Sequence, residues 1–403
     1  MATVVLLGTL DTKGRELDYL RVRLREQDVE VVLVDAGVFE PLAQADVTAE
    51  EVAAAAGADL AALREAGDRG AAVEAMCRGS AAVVGRLHEG GRLDGLLTIG
   101  GSGNSSIGAA AAAALPVGVP KMIVSTVASG DTRPYVGAKD VTMTYSVVDI
   151  SGLNRISERI LSNAAGAIAG MAKVSVPESG EGRPLIGATM FGVTTPAVTR
   201  ARERLEELGY EVLVFHATGT GGQSMEALAR AGYLAGVLDL TTTELADDLV
   251  GGVLSAGPAR LEAAGELGLP QVVSLGALDM VNFGARDTVP QQFEDRVLYV
   301  HNPSVTLMRT TPEECAELGR RIARKLSAAT GPTALFVPLK GVSMIATDGG
   351  PFHDAAADEA LFAAVREGLG ENVELYELDL DVNDPAFADA MANRLDEMVR
   401  DQG

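Results

Sequence analysis

Short apolar runs that end on glycine or an acid alternate along this chain with longer stretches in which leucine and alanine return every three or four positions, and this alternation predicts an α/β protein. Thr3 to Leu7 reads as a strand, Gly14 to Gln27 as a helix carrying Leu17, Leu20 and Leu24 on one stripe, and Val29 to Val34 as the next strand. Both strands are apolar on both faces, as parallel strands buried under helices should be. A polar segment, Phe39 to Asp46, precedes predicted helices at Thr48 to Leu63 and Ala71 to Glu89. Strands follow at Leu96 to Ile99 and Lys121 to Thr126, then a long helix from about Asn154 to Ala172.

After the Gly/Pro/Glu-rich stretch Val176 to Pro184, which reads as a linker, the plan restarts. Leu185 to Met190, an Arg/Glu-rich helix ending near Leu208, Tyr210 to His216 and Gly236 to Leu240 repeat the order of the first half. The pattern therefore predicts two similar domains, residues 1–178 and 184–403, each a mostly parallel sheet flanked by helices in the Rossmann-like manner. A length of 403 residues agrees, since a single core stops growing well below that size.

The first domain is organised around Gly95 to Gly108. Here a buried strand runs into Gly100-Gly101-Ser102-Gly103, and the cap-type residues Asn104, Ser105 and Ser106 mark a helix start followed by alanines. Glycine amides unobstructed by a Cβ, backed by the positive end of a helix, form a cradle for an anion without any lysine. A Walker A loop is excluded because no lysine follows Gly103, and the dinucleotide fingerprint is missing after the first strand. The loop resembles the Gly-Gly-Asp-Gly turn of sugar and NAD kinases, with Ser102 where the aspartate would stand. The bland alternative is a tight strand-to-helix turn.

Composition narrows the classes further. A formal charge of −23 repels a phosphate backbone and an anionic membrane surface, so neither nucleic acid nor membrane is an expected partner, and a small anionic ligand needs a local positive site. No apolar tract reaches the ~20 residues of a spanning helix. The start Met1 to Gly8 lacks a basic lead and reads as a strand, not a signal peptide, which gives a cytoplasmic expectation. Cys77 and Cys315 are far apart and read as packing residues in a reducing compartment.

Ligands of open parallel sheets bind beyond the carboxyl ends of the strands, so the loops after Leu7, Val34, Ile99 and Thr126 should line one crevice. The candidates are Thr9 as a hydrogen-bonding group, Lys13 for a phosphate and Asp35 for ribose hydroxyls. Gly100, Gly101, Ser102, Gly103, Asn104 and Ser105 form the cradle, and Thr126 and Ser129 lie in the next loop. Asp11 either bridges to a phosphate through magnesium, touches sugar or caps a helix. In the second half, threonines and Glu244 replace the glycines of the cradle, and Thr218 to Ser224 is a further glycine-rich turn. His216, Lys340 and His353 are weak acid/base candidates there, more simply read as structural hydrogen-bonding groups. No His-x-x-x-His or Gly-x-Ser-x-Gly pattern points to a zinc or serine hydrolase.

Gly8-Thr9-Leu10-Asp11-Thr12-Lys13-Gly14, Asp35-Ala36-Gly37, Gly100-Gly101-Ser102-Gly103-Asn104, His301-Asn302-Pro303 and Met308-Arg309-Thr310 together resemble the family of the ATP-binding domain of the tomato mosaic virus resistance protein and its bacterial relatives. The resemblance covers nearly the whole chain. It implies two Rossmann-like domains, ATP bound through the first and a homodimer, while the plant protein's further barrel-like domain has no counterpart before Gly403. The leading expectation is an ATP-binding protein whose cofactor, ATP with magnesium, rests on residues 100–105 in an interdomain cleft. The alternatives are a small-molecule phosphotransferase or hydrolase at the same cleft and a ligand-sensing regulatory dimer.

Overall fold

The computed structural model describes residues 1–175 and 182–402, so most of the stretch read as a linker, up to residue 181, lies outside the described residues. The chain forms two compact units, Met1–Glu178 and Ser179–Gly403.

The first unit runs β1 (Thr3–Gly8), α1 (Leu10–Arg25), β2 (Glu30–Asp35), α2 (Ala49–Ala55), α3 (Leu60–Ala66), α4 (Arg69–Glu89), β3 (Gly95–Gly100), α5 (Ser102–Ala113), β4 (Lys121–Ser125), α6 (Arg133–Val136), β5 (Val141–Tyr145) and α7 (Arg155–Ala172). Its strands form one parallel sheet in the order β2-β1-β3-β4-β5. The alternation of side chains along β1 explains why this strand is apolar from Val4 to Leu7. Val4 and Leu6 pack with Leu17, Leu20 and Leu24 of α1 and Ile168 of α7, while Val5 and Leu7 pack on the other face with Val52, Val84 and Ile107. Each such side chain, taken fully out of water, contributes about 1.5–3 kcal/mol.

Three local features depart from the sequence reading. The helix expected over Thr48 to Leu63 is broken at Gly57, whose φ is +70°, into α2 and α3. The next helix begins at Arg69 and not Ala71, because the Asp68 carboxylate accepts the Ala71 N–H and caps it. β5 escapes the apolar-run test because it is the half-exposed edge of the sheet. Helix α7 starts where expected, with Asn154 and Ser157 forming a reciprocal capping box. Lys121 at the start of β4 is 0% exposed; its Nζ donates to Asp140 Oδ1 at 2.7 Å and to the Val119 carbonyl at 2.6 Å.

The second unit runs β6 (Leu185–Met190), α8 (Thr195–Glu207), β7 (Glu211–His216), α9 (Thr220–Arg230), β8 (Leu234–Thr241), α10 (Glu244–Val250), α11 (Ala263–Glu266), β9 (Gln271–Gly276), β10 (Met280–Phe283), β11 (Leu298–Asn302), β12 (Val305–Arg309), α12 (Pro312–Ser327), β13 (Thr333–Pro338), α13 (Ala355–Gly368), β14 (Val373–Leu378) and α14 (Pro385–Arg400). The parallel sheet has the order β14-β13-β9-β8-β6-β7, and β10-β12-β11 form a small antiparallel sheet inserted after β9. Read from the other edge, the parallel strands follow the sequence second, first, third, fourth, fifth, sixth, the order of the first unit with one strand added. Both units are therefore doubly wound sheets whose strand order reverses beside the first strand.

Candidate functional site

In the first unit the reversal falls between β1 and β3, and a cleft of about 630 Å³ opens at their carboxyl ends. Every residue lining it belongs to the first unit. Its floor is the turn from β3 into α5. Gly100 has φ +148°, and a Cβ there would lie 2.4 Å from Asn104 Nδ2, so only glycine fits. Gly101 is the extended N-cap, no side chain caps α5, and its first backbone bond runs from the Ser105 N–H to the Gly101 carbonyl. The amides of Ser102, Gly103 and Asn104 are thus left without intrahelical partners at the positive end of a twelve-residue helix.

This places the helix start earlier than the sequence reading did. Asn104, Ser105 and Ser106 are not caps but sit in the first turn, where the Ser105 and Ser106 hydroxyls donate back to the Gly101 and Ser102 carbonyls at 3.0 and 3.1 Å. Ser105 is fully buried and shares a 2.6 Å hydrogen bond with Ser125, so it supports the turn from beneath. Asn104 Nδ2 donates to Thr9 Oγ1 at 3.1 Å, and Thr9 shares a 2.6 Å bond with Thr12, which ties the first loop to the glycine turn.

Of the residues singled out in the sequence, Thr9, Asp11, Lys13, Gly101, Ser102, Gly103 and Asn104 line the cleft. Asp35 is 2% exposed and does not line it: its Oδ1 accepts the Leu10 and Gly37 amides at 3.0 and 2.8 Å, fixing the two neighbouring loops. Burial pushes the Asp35 carboxyl above its ordinary range, and the Asp11 charge adds to that, while the two amide bonds pull the other way. Asp11 is no helix cap. Its Oδ2 accepts the Val38 and Phe39 amides at 3.1 and 3.0 Å, and its Oδ1 is enclosed with no hydrogen-bond partner. The Lys13 ammonium donates to the Ile150 carbonyl. Thr126 touches the turn through its backbone, N–H to the Gly100 carbonyl at 3.2 Å, and Ser129 is exposed in the loop beyond.

The structure adds residues the sequence reading did not select. Arg69, at the first position of α4, brings its guanidinium to 4.0 Å from where a Cβ on Gly103 would lie, and among the described residues it has no hydrogen bond or ion pair. Arg64 lines the same side and donates to the Val38 carbonyl. Phe39, 61% exposed, lines the cleft together with Leu63, Val73 and Met76. The signal for Arg69 was present as Asp68 three residues before Ala71, an N-cap spacing that draws Arg69 onto the helix. Phe39 showed only as one aromatic residue in a polar segment.

In the second unit the corresponding turn, from β8 into α10, carries Glu244, whose side chain closes the neighbouring glycine-rich turn into α9. Glu244, 0% exposed, places Oε1 2.7 Å from the Gly219 amide and 3.1 Å from the Gly222 amide, at the start of α9. Its Oε2 accepts Arg260 Nε at 2.5 Å, and Arg260 also forks onto Asp239 at 2.5 and 2.7 Å. A Cβ on Gly222 would sit 2.2 Å from Glu244 Oε2. The chain's own carboxylate thus occupies the place an anion would take. Lys340 pairs with Asp379 at 2.8 Å, His353 faces Asp348 at 4.0 Å, and the His216 ring lies against Phe191. Among the described residues no group of three or more His, Cys, Asp or Glu side chains is placed to hold a metal ion, and no helix is long and apolar enough to cross a membrane.

Residues 2–177 match the N-terminal domain, and residues 183–399 the C-terminal domain, of the uncharacterised protein family UPF0261. A UPF0261 protein of Clostridium tetani is 53% identical over 398 residues, covering 98% of each chain, and one of Rhizobium meliloti is 47% identical over 392 residues, covering 97% of each. The ToMV resistance protein Tm-1(GCR237) of Solanum lycopersicum is 39% identical over 421 residues, a match that takes in 97% of this chain and 55% of the tomato protein. With both domain models matched in order, and relatives this similar along almost its whole length, the chain belongs to the UPF0261 family.

Proposed function

We propose that the first unit binds a nucleotide, ATP being the ligand that the family resemblance implies, with its phosphates on the glycine turn and its base against the apolar wall. The observation that carries this reading is the set of uncapped amides of Ser102, Gly103 and Asn104 opening into the same cleft as an unpaired Arg69. In a chain of net charge −23 an unpaired guanidinium beside free helix amides is a local exception, and it supplies the positive site that a small anion needs. The cleft volume falls within the range of about 300–1,000 Å³ usual for small-molecule sites. Phe39, Val73 and Met76 give it an apolar side on which a planar base can lie.

Asp11, which lines the cleft, has Oδ2 on the Val38 and Phe39 amides and so anchors the segment that carries Phe39, while its Oδ1 has no hydrogen-bond partner. Isothermal titration with ATP tests the reading. Measurable heat is expected for the wild-type protein, with binding lost in Gly101→Val, whose side chain would fill the cradle. Absence of heat, or an unchanged affinity in Gly101→Val with its fold intact by circular dichroism, removes the proposal.

A further inference from the structure

The cleft is lined by acids as well as cations, and one of those acids, Asp149, has no part in the reading above. A chain of hydrogen bonds runs from Asn104 to Thr9 at 3.1 Å and from Thr9 to Thr12 at 2.6 Å. Next along α1 is Lys13, whose ammonium holds the Ile150 carbonyl. Beside Ile150 is Asp149, which lines the cleft, is exposed, and among the described residues makes no side-chain hydrogen bond or ion pair. The turn that carries it is held at two points, because the Gly152 amide also donates to the buried Glu16 carboxylate at 2.6 Å. Lys13 and Glu16 thereby hold the turn that presents this open carboxylate to the cleft.

We infer that Asp149 is the group that selects a ribonucleotide, accepting hydrogen bonds from the 2′- and 3′-hydroxyls of the ligand. The inference rests on the nucleotide reading and names the sugar that reading leaves open. An ionised carboxylate only accepts hydrogen bonds, so the part of the ligand that meets it must donate. A nucleotide whose phosphates lie on the glycine turn offers a vicinal diol some way along its length, and two carboxylate oxygens match two hydroxyls. Asp35, at the end of β2 where an acid commonly meets ribose, has Oδ1 committed to the Leu10 and Gly37 amides and does not line the cleft. Asp149 supplies that function from a loop after β5. Sites built to hydrogen-bond a hydroxyl discriminate strongly against the analogue that lacks it, because the site's polar group is then left unpaired.

The test is titration of the full-length protein with ATP, 2′-deoxy-ATP and 3′-deoxy-ATP, repeated on Asp149→Ala and Asp149→Asn. Wild-type protein should bind each deoxy analogue about tenfold or more weakly than ATP. Asp149→Ala should bind all three alike, near the wild-type affinity for the deoxy analogues, with an unchanged melting temperature. Wild-type protein that binds ATP and both analogues within twofold overturns the inference while leaving the nucleotide reading in place. So does an Asp149→Ala variant that keeps the discrimination, or one whose only change is a lost response of affinity to magnesium. Protein that binds none of the three removes both.

Discussion

Glu244→Ala offers the most direct test of the claim that the second unit fills its own anion position. The substitution removes the acceptor of two amides, Gly219 and Gly222, and one of the three carboxylates on Arg260, beside Asp239 and Glu226, where both Glu244 and Arg260 are buried. Breaking a buried ion pair by deleting one partner costs about 3–5 kcal/mol. Asp239 keeps its fork on Arg260, which holds that contribution near the lower end. Two orphaned amides add about 1–3 kcal/mol each, less whatever water recovers by entering the vacated space. A loss of about 4 kcal/mol from the second unit is therefore expected, read by urea titration. Hydrogen exchange should localise it to peptides spanning Thr220–Arg230 and Leu234–Thr241. The distinguishing result is rescue. Acetate supplies a carboxylate small enough for the space that Glu244 leaves, and at ten times its dissociation constant it returns about 1.4 kcal/mol to the variant. Wild-type protein should show no such gain at equal ionic strength. A loss below about 1 kcal/mol, or an acetate effect of equal size in wild type, would refute the reasoning.

Three further outcomes are expected. Gly100→Ala should destabilise the first unit by at least the roughly 1–3 kcal/mol of a strained backbone, since its new Cβ also meets Asn104 at 2.4 Å; thermal melts read the effect. Arg69→Ala should weaken ATP binding about tenfold or more and flatten its salt dependence at unchanged melting temperature, because the guanidinium has no protein partner to lose. Burial raises Asp247 from 3.8 to about 7, against hydrogen bonds from Asn282 and Leu254. The folded protein therefore holds a proton that the unfolded chain releases, so this contribution is complete below about pH 4 and lost as the pH rises through 7, at up to about 1.4 kcal/mol per pH unit. Asp247→Asn should remove that slope from the pH profile of urea unfolding, and an identical slope in wild type and variant would exclude Asp247 as its source.

The layered architecture was legible because the physics that builds it is local. Val4 to Leu7 are apolar at every position, and Leu96 to Ile99 at all but Thr98, since both faces are covered, and Asn154 marks the start of α7 one residue in advance. The edge strand Val141–Tyr145 and the antiparallel insert of β10, β11 and β12 were not legible. One alternates with polar residues, and the others acquire their pairing only from each other across intervening loops. At the site, the glycine turn is a property of a few consecutive residues and could be read directly. Asp35, Asp11 and Lys13 each engage a partner 25 to 137 positions away, so their chemistry could be guessed but not their engagement. Arg69 and Asp149 reach the cleft only once α4 and the turn before α7 are placed around it.

Lys121 gives the first unit a built-in reporter of its own opening. An amine with no exposed surface, held by Asp140 and the Val119 carbonyl and with its basicity lowered chiefly by burial, cannot meet an acylating reagent while β4 stays paired on both sides. Its labelling rate therefore counts the moments at which the sheet comes apart, and a ligand that steadies the neighbouring cleft would silence that amine without ever touching it.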